Sequence, residues 1–377
     1  MRKEVIAMVL VGGRGSRLDP ITRRKAKPAV MFGGKYRLID FVLSNLTNSQ
    51  IDTVGMVTQY EPHELMHYIE HGASWDLDLI DGGIQFLTPY TDYEGDRWQK
   101  GTAHAIRQHM HFITQHDPDH VLILSGDHVY KMDYTELIEA HKQSGAAFTI
   151  ASFTPHDTLS RYGVLEVDAD GFVNDFEEKP QTPQGSQASM GIYVFKREAL
   201  EAILSPNMPE GFDFGKDIIP RALNDNYPIY AYPYDGYFRD VGTIQSLYEA
   251  NMDLIDHPEL LRLNDYKQLP VYTKSSDYPP HHVMLHEPIR DALISDGCMI
   301  QGRVERSIIS PNVVIRENAD VKNSIVFPGV TINENCTLEN VIVLEDTVVM
   351  PSTHIVYDSV QVIDNAILWA LGDGNEK

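Results

Sequence analysis

The chain has 377 residues, of which 42% are hydrophobic and 23% are charged, so it is long enough for two globular domains. Its formal net charge of −23 argues against nucleic acid or an anionic membrane surface as a partner. Only two cysteines occur, no apolar run reaches the roughly 18 residues of a membrane helix, and the N-terminus has no signal-peptide pattern. We therefore expect a cytoplasmic protein that binds neither nucleic acid nor a membrane.

Short apolar runs alternate with helical patterns through the first two thirds of the chain. Buried strands are predicted at 5–11, 54–57, 120–124 and 147–151, and helices at 38–49, 101–115 and 134–144. This alternation predicts a Rossmann-like, doubly wound and mostly parallel sheet, in a domain that we place at 1–256. Ligands of such sheets bind at the carboxyl ends of the strands, where Gly12 and Asp127 follow two of the predicted strands.

The first strand leads into a glycine-rich stretch that reads LVGGRGSRL from residue 10. Its glycines allow a tight turn and a close approach to a ligand, and its cations favour an anion. Such a loop is typical of a polyphosphate site. It lacks the third glycine of a dinucleotide fingerprint, and the later GGK motif is followed by tyrosine rather than by the Ser or Thr of a P-loop. The candidate residues of this region are Gly12, Gly13, Arg14, Gly15 and Lys27.

The last hundred residues repeat with a period of 17. SIISPNVVIRENADVKN, from Ser307, is followed by SIVFPGVTINENCTLEN from Ser324, and a third copy decays after Pro351. Aliphatic residues recur every six positions within each copy, and a shortened copy precedes them, which predicts a parallel β-helix at 291–377. A β-sandwich with turns of similar length is the alternative. A proline-rich linker is predicted at 257–290.

One further motif points to a different chemistry. The segment HELMH at 63–67 has the spacing of a zinc-hydrolase helix, and His71 would extend the same helix face. The longer metzincin spacing is not met, because Glu70 and Ala73 stand where glycine and histidine are required. We favour the alternative, a surface helix that binds no metal.

Ordered blocks along the chain resemble those of one enzyme family. The glycine-rich stretch is followed by AKP and FGGKYRLIDF, and then in chain order by SGDHVY, FEEKP, ASMGIY, DFGKD and RDVGT. Together they resemble the glucose-1-phosphate adenylyltransferases, also called ADP-glucose pyrophosphorylases, of the bacterial glycogen-synthesis type. The resemblance covers nearly the whole chain. It implies a nucleotidyltransferase domain of the GT-A-like kind and a C-terminal left-handed parallel β-helix.

The resemblance also implies the chemistry. ATP and α-D-glucose 1-phosphate would be the substrates, and Mg²⁺ the metal ion, with Asp127 and Asp240 as its ligands. The catalytic residues implied are Arg14, Lys27 and Asp127. Those implied on the sugar-phosphate side are Gln99, Gly163, Glu178, Lys179, Ser189 and Asp213. Those implied on the nucleotide side are Gly12, Gly13, Gly15, Gln59, Gly101 and Thr102. Arg24 lies where a regulatory cation is expected, and the family leads us to expect a homotetramer, or a heterotetramer with a paralogous subunit.

Two features depart from the family pattern. Gln99 stands where the family has a substrate-binding tyrosine, and the run at 367–373 lacks the basic residues expected of a regulatory site. We therefore predict weak or altered activation by metabolites such as fructose 1,6-bisphosphate. Gln99 also keeps open a non-catalytic or weakly catalytic regulatory subunit as an alternative.

Two competing reactions have part of the same sequence pattern. A pyrophosphorylase for another nucleoside diphosphate sugar would share most of the same motifs. An acyltransferase with a β-helix is disfavoured, because such sites commonly use a histidine and residues 294–349 contain none.

Overall fold

The computed structural model describes residues 3–13, 15–89, 91–92, 95–96, 99–155, 158–205, 212–263, 265, 267–284 and 288–373. Contacts along the backbone divide the chain into two compact units. The first comprises Met1–Gly13, Phe41–Phe238 and Asp265–Tyr272, and the second comprises Arg14–Asp40, Arg239–Asn264 and Thr273–Lys377. This grouping is discontinuous along the chain, whereas the predicted boundaries at 1–256, 257–290 and 291–377 follow chain order.

In the described part of the first unit, a nine-stranded sheet organises the fold. Its strands are β1 (Val5–Leu10), β2 (Thr53–Val57), β3 (Gly83–Leu87), β4 (His120–Ser125), β5 (Phe148–Phe153), β6 (Gly163–Val167), β7 (Val173–Glu178), β8 (Gln187–Lys196) and β9 (Ile229–Pro233). The order across the sheet is β7-β6-β8-β4-β1-β2-β3, with β5 paired to β8 and β9 paired to β5.

The sheet has a parallel part, which includes the predicted strands around β1, and an antiparallel part. As predicted, β1 is parallel to β2 and β4; β2 is also parallel to β3. By contrast, β8 is antiparallel to β4, β5 and β6, and β6 is antiparallel to β7. A short connection at 168–172 joins β6 to β7, and so short a connection can join only antiparallel neighbours.

Seven helices pack on the sheet of the first unit in the part that the structure describes. They are α1 (Leu38–Asn48), α2 (Pro62–Ile69), α3 (Thr102–Gln108), α4 (Met110–His116), α5 (Tyr134–Ser144), α6 (Arg197–Ile203) and α7 (Ile219–Asn224). The predicted helix at 101–115 is in fact the pair α3 and α4. His109 interrupts it with φ −106° and ψ 21°, and its N–H donates to the Ile106 carbonyl, only three residues back. Between sheet and helices lies an apolar core, in which Phe148 and Phe195 stack with ring centroids 4.4 Å apart.

Shorter elements complete the described backbone. The strands Met31–Phe32 and Tyr36–Arg37 form a hairpin, as do Thr91–Asp92 and Gly95–Asp96. The other short elements are the strands His128–Tyr130 and Phe238–Asp240, the 3₁₀ turns Ser16–Leu18, Lys27–Ala29, Ala73–Trp75 and Leu159–Arg161, and the π-helical turn Phe214–Ile218.

The second unit contains the parallel β-helix that the repeats predict. Its strands are β10 (His282–Val283), β11 (Ile289–Ile294), β12 (Met299–Ile300), β13 (Arg303–Ile309), β14 (Val314–Ile315), β15 (Asp320–Lys322), β16 (Ile325–Val326), β17 (Thr331–Ile332), β18 (Thr337–Val343), β19 (Val348–Val349) and β20 (His354–Ile363). All pairings between them are parallel, from one coil to the next, so the β-sandwich alternative is wrong.

The register of the β-helix reproduces the sequence repeat. Val314 pairs with Thr331, and Thr331 pairs with Val348, which is a step of 17 residues per coil. The preceding coil is shorter, since Met299 pairs with Val314 over a step of 15. The recurring aliphatic residues, with Cys298 and Cys336, fill the interior of the coils. Strand β10 falls inside the predicted linker and pairs with β12.

Helix α8 (Ile244–Asp256) packs within the same unit, and α9 (Pro258–Leu261) and α10 (Asn365–Asp373) complete it. A capping box between Thr243 and Ser246 begins α8. The Tyr248 hydroxyl donates to the Asn323 carbonyl of the β-helix at 2.9 Å. On another side of α8, the Asn251 side-chain oxygen accepts the Gly33 N–H at 2.8 Å. Helix α8 therefore contacts both the β-helix and the hairpin at Met31–Arg37.

Candidate active site

Three predicted site residues lie at one edge of the sheet in the first unit. Gly12, Gln59 and Asp127 follow the carboxyl ends of β1, β2 and β4. The hydrogen-bond ladder continues past the strands, because the Val11 N–H donates to β2 at 2.9 Å and the Gly126 N–H donates to β1 at 3.0 Å. Parallel neighbours end at the same edge, which is where ligands of such sheets bind.

Gly12 is packed directly against Gln59. A Cβ at Gly12 would lie 2.9 Å from the Cβ of Gln59, so no side chain fits there. The Gln59 side-chain amide donates to the Gln99 carbonyl at 2.9 Å. The loop after β1, the end of β2 and the segment before α3 therefore meet around Gln59.

The Gln99 side chain is turned into the core of the unit. It is 5% exposed, and its Nε2 lies 3.5 Å from Nε2 of His109. Burial, and then the nearby His111, lowers the pKa of His109 to about 4, so the imidazole is neutral at pH 7. Where the resemblance implies a tyrosine, this chain thus has an amide packed against a neutral imidazole.

The beginning of α3 contacts a segment more than a hundred residues away. A Cβ at Gly101 would lie 2.3 Å from the Phe212 carbonyl oxygen. The Thr102 hydroxyl donates to Asp213 Oδ2 at 3.0 Å and accepts the Phe214 N–H at 3.0 Å. Gly101 and Thr102, implied for the nucleotide side, therefore touch the segment that contains Asp213, implied for the sugar side.

Gly163, Glu178 and Lys179 lie together on the β6–β7 pair. Gly163 is opposite Glu178 in the antiparallel register, and a Cβ on it would lie 2.9 Å from Glu178 Oε2. The Lys179 ammonium lies 3.0 Å from Glu178 Oε1 and is 55% exposed. A cation in this position can meet an anionic ligand while the carboxylate beneath it fixes its direction.

Ser189 and Tyr193 of β8 lie near these groups. Burial raises the pKa of the Tyr193 phenol well above its ordinary range, and the carboxylates of Glu178 and Asp213 raise the pKa further. The Ser189 hydroxyl accepts the Gly191 N–H at 3.2 Å. The first unit thus brings Gly163, Glu178, Lys179, Ser189 and Asp213 into one region.

Asp127 is held by its immediate neighbours. The Ser125 hydroxyl donates to Asp127 Oδ1, and His128 Nε2 lies 3.5 Å from the same oxygen. The Asp127 side chain is 22% exposed. The carboxylate is therefore oriented by β4 and its end but remains accessible to a ligand.

The second unit contains the other predicted residues. Lys27 Nζ donates to Asp240 Oδ1 at 3.1 Å, and Lys27 is 6% exposed. A Cβ at Gly242 would lie 2.9 Å from Arg17 Nη2 and 3.0 Å from Asp240 Oδ1, so the guanidinium also lies beside this carboxylate. Gly15 has φ 62° and packs against Lys27, where its carbonyl accepts the Thr22 hydroxyl at 2.8 Å. A lysine, an arginine and an aspartate are thus assembled at the glycine-rich turn.

Arg14 lies outside the described residues. Arg24 is exposed in the second unit. Its neighbour Lys25 forms an ion pair with Glu345 of the β-helix.

The zinc motif lies on α2. His63 and His67 are both exposed on this helix. Across the residues that the structure describes, no group of three or more His, Cys, Asp or Glu side chains is placed to hold a metal ion. The motif therefore has no ligand set of its own among those residues.

A helix that could cross a membrane is likewise missing from the described ranges, where every helix is too short or too polar.

Comparisons with known proteins agree with this architecture. Residues 6–257 match the nucleotidyl transferase family, and residues 282–366 match the GlmU-like C-terminal hexapeptide family. A curated glucose-1-phosphate adenylyltransferase of Halalkalibacterium halodurans is 48% identical over 371 residues, which are 97% of each chain. Relatives of the same name from Clostridioides difficile and Bacillus cytotoxicus are 48% and 43% identical, over 85% and 94% of this chain and 84% and 89% of their own. The chain belongs to the glucose-1-phosphate adenylyltransferase family.

The family's fold class, implied by the sequence motifs, is confirmed. A nucleotidyltransferase sheet is followed by a parallel β-helix of the left-handed hexapeptide type.

The structure adds residues that sequence reasoning missed in this adenylyltransferase. Ser125 holds Asp127, His109 lies against Gln99, and Glu345 holds Lys25. Only Ser125 had a local signal, because it precedes the Gly-Asp pair at the end of a buried strand.

Proposed function

We propose that this protein joins ATP and α-D-glucose 1-phosphate to form ADP-glucose, and that it releases pyrophosphate in glycogen (α-glucan) biosynthesis. One observation carries the proposal: the chain is 48% identical, over 97% of its length, to a curated relative named for this reaction. The site residues described above support it, because cations and carboxylates are placed at the ends of the strands and at the glycine-rich turn.

The proposed reaction needs no protein nucleophile. A phosphate oxygen of glucose 1-phosphate, already anionic near neutral pH, attacks the α-phosphorus of ATP in line, and pyrophosphate leaves. The protein contributes positioning and charge neutralisation. We assign Lys179 to the phosphate of glucose 1-phosphate and Glu178, Ser189 and Asp213, with the backbone at Gly163, to the sugar.

The nucleotide side follows from the same proposal. Gln59, Gly101 and Thr102 would lie near the adenine, with Gly12, Gly13 and Gly15 along the phosphates. Arg14 and Lys27 would neutralise the departing pyrophosphate. The burial of Lys27 beside Asp240 supports this role, since a buried ammonium keeps a defined position.

Nucleotidyltransferases use a divalent metal ion, and we propose Mg²⁺ here. Asp127 and Asp240 would hold it, because they offer the carboxylate oxygens that such a hard cation prefers and are 22% and 23% exposed. When bound, the ion would supply charge stabilisation at the α-phosphate.

The deciding experiment is an assay of nucleotide specificity with the isolated chain. Glucose 1-phosphate is supplied with ATP, UTP, dTTP, GTP or CTP, and pyrophosphate release and the sugar nucleotide are measured. We expect ADP-glucose as the main product. A preference for UTP or dTTP would support the alternative of another sugar nucleotide instead.

Gln99 favours one second candidate, a regulatory subunit with little activity of its own. Its buried amide occupies the position of the family's tyrosine. The same assay decides: activity that appears only when a paralogous subunit is added would support this candidate.

We also propose a cytoplasmic homotetramer, with a heterotetramer as the alternative. Two buried thiols, Cys298 and Cys336, fit a reducing compartment. Light scattering of the purified chain measures the mass of the assembly, and a mass of four chains is expected.

A further inference from the structure

Helix α3 begins without a capping side chain of its own. Gly101 is the residue before it, and the first backbone N–H groups of any helix lack partners inside the helix. Here the Phe212 carbonyl accepts the N–H of Ala103 at 2.9 Å and that of His104 at 3.1 Å. A segment far along the chain therefore completes the start of the helix.

The Thr102 hydroxyl adds a second connection to that segment. It donates to Asp213 Oδ2 at 3.0 Å and accepts the Phe214 N–H at 3.0 Å, so its one proton and one of its two lone pairs are used within the protein. This leaves no second hydroxyl proton for a base or phosphate of the nucleotide.

Asp213 is held on its other oxygen too. Asp213 Oδ1 accepts the N–H of Gly215 at 3.0 Å and that of Lys216 at 3.2 Å, which caps the turn Phe214–Ile218. Gly215 in turn is packed on Glu178, because a Cβ there would lie 2.5 Å from Glu178 Oε2. Thr102 is thus connected through Asp213 and Gly215 to the Glu178–Lys179 pair.

We infer that Thr102 is a positioning residue for glucose 1-phosphate and not a ligand of the adenine. Its hydroxyl orients the Asp213 carboxylate and the following turn, and so links the segment on the nucleotide side to the sugar side. The inference rests on the proposed function and refines it, since the family resemblance implies Thr102 on the nucleotide side.

The linkage has a thermodynamic consequence. If ordering of the segment at Gly101 by one substrate improves the geometry at Asp213, each substrate increases the affinity for the other by the same factor. Loss of the hydroxyl would weaken this mutual effect and raise the KM for glucose 1-phosphate.

The test compares Thr102→Val, which keeps the shape but removes the hydroxyl, with Thr102→Ser, which keeps the hydroxyl. For Thr102→Val we expect KM for glucose 1-phosphate to rise about three- to tenfold, the effect of losing an exposed hydrogen bond to a charged group. The Kd for ATP measured in the absence of glucose 1-phosphate should stay within twofold, roughly the scatter for an untouched site, because no coupling acts when one substrate is missing. Thr102→Ser should restore KM for glucose 1-phosphate to near the wild-type value.

A double-mutant cycle with Asp213→Asn provides the second readout. Thr102→Val should add little to the defect of Asp213→Asn, because both changes remove the same hydrogen bond. The thermal unfolding temperature of every variant is also measured, to check that the changes in KM are not caused by a loss of protein stability.

Three outcomes would overturn the inference: a rise in KM for ATP alone, an unchanged KM for glucose 1-phosphate in Thr102→Val, or equal defects in Thr102→Val and Thr102→Ser. A wild-type enzyme that makes no ADP-glucose would contradict the proposed function instead, so the two failures are distinguishable.

Discussion

Asp127 shows how single residues of this site are prepared by their surroundings. The residue follows the buried strand β4, and the Ser125 hydroxyl and the His128 imidazole both face Oδ1. These contacts orient a carboxylate that is still partly exposed. A change at Asp127 that keeps its shape but removes its charge therefore tests the proposed metal and phosphate chemistry without disturbing the strand.

For Asp127→Asn we expect kcat to fall by about a thousandfold or more, because several kcal/mol of charge stabilisation at the α-phosphate is lost. The far-UV circular dichroism should match that of the wild type. Asp170→Asn, an exposed turn residue, is the matched control and should be fully active. Near-normal turnover in Asp127→Asn would show that this carboxylate has no part in catalysis.

His141 illustrates a titratable residue with a structural role. It is fully buried on α5, where its Nδ1 lies 2.8 Å from the Thr149 hydroxyl and its ring meets His120 edge to face. Burial, followed by the charges of His120, Lys196 and Lys142, lowers its pKa from 6.5 to about 3. The folded protein therefore keeps His141 neutral, whereas the unfolded chain binds a proton as pH falls below 6.5.

This difference makes the protein less stable in acid. The contribution of the neutral His141 to the free energy of unfolding is complete above pH 6.5 and is lost as pH falls towards about 3. We expect the free energy of unfolding to fall by about 2 kcal/mol between pH 7.5 and 5 through this residue. In His141→Gln the free energy of unfolding in urea should decline less steeply over that range. An equal slope in the two proteins would mean that His141 has the same pKa in the folded protein as in the unfolded chain.

At the scale of elements, the second unit joins the glycine-rich segment to the β-helix. Lys25, two residues before Lys27, forms a partly buried ion pair with Glu345, with side chains 12% and 28% exposed. A Cβ at Gly34 would lie 2.8 Å from the Ser295 hydroxyl of the β-helix. The position of Lys27 therefore depends on coils of the β-helix that lie far later in the chain, at Ser295 and Glu345.

Reversal of this ion pair tests that dependence. Lys25→Glu and Glu345→Lys should each lower kcat/KM by about three- to tenfold, because two like charges then face each other at a partly buried contact. The double variant should recover most of the loss. Lys322→Glu, at the more exposed pair with Glu339, should change kcat/KM by less than twofold and serves as the control. Additive losses in the double variant would contradict a direct pairing.

At the scale of the whole molecule, the family matches at 6–257 and 282–366 suggest two modules in sequence, yet the compact units are interleaved along the chain. The segment Arg14–Asp40 and helix α8 belong to the unit of the β-helix. Lys27 and Asp240 are therefore supported by residues from both parts of the sequence.

A truncated protein that ends at residue 281 should for this reason be inactive. It retains every proposed site residue but loses the coils against which Gly34, Lys25 and Tyr248 pack. We expect no ADP-glucose formation and a protein that aggregates or unfolds at a lower temperature than the full chain. A soluble truncated enzyme with full activity would show that the transferase residues form a self-sufficient domain.

Much of this architecture could be predicted from local patterns. The strands around β1 are short apolar runs, as expected of strands buried on both faces, and the coils of the β-helix repeat their register every 17 residues. The antiparallel strands β6 to β8 were largely missed, because their polar residues alternate less regularly and their pairing depends on distant partners. The interruption at His109 was missed because α3 and α4 share one continuous helical pattern.

The sequence by itself determined the class of fold, the family and the residues that gather at the strand ends, because motifs and periodicities are local or ordered along the chain. Only the tertiary structure decided which groups hold those residues in place. Thr102 meets Asp213 across 111 positions, and Lys25 meets Glu345 across 320. Partners at such separations are set by the path of the folded backbone, which brings them together without leaving a pattern in the sequence around either one.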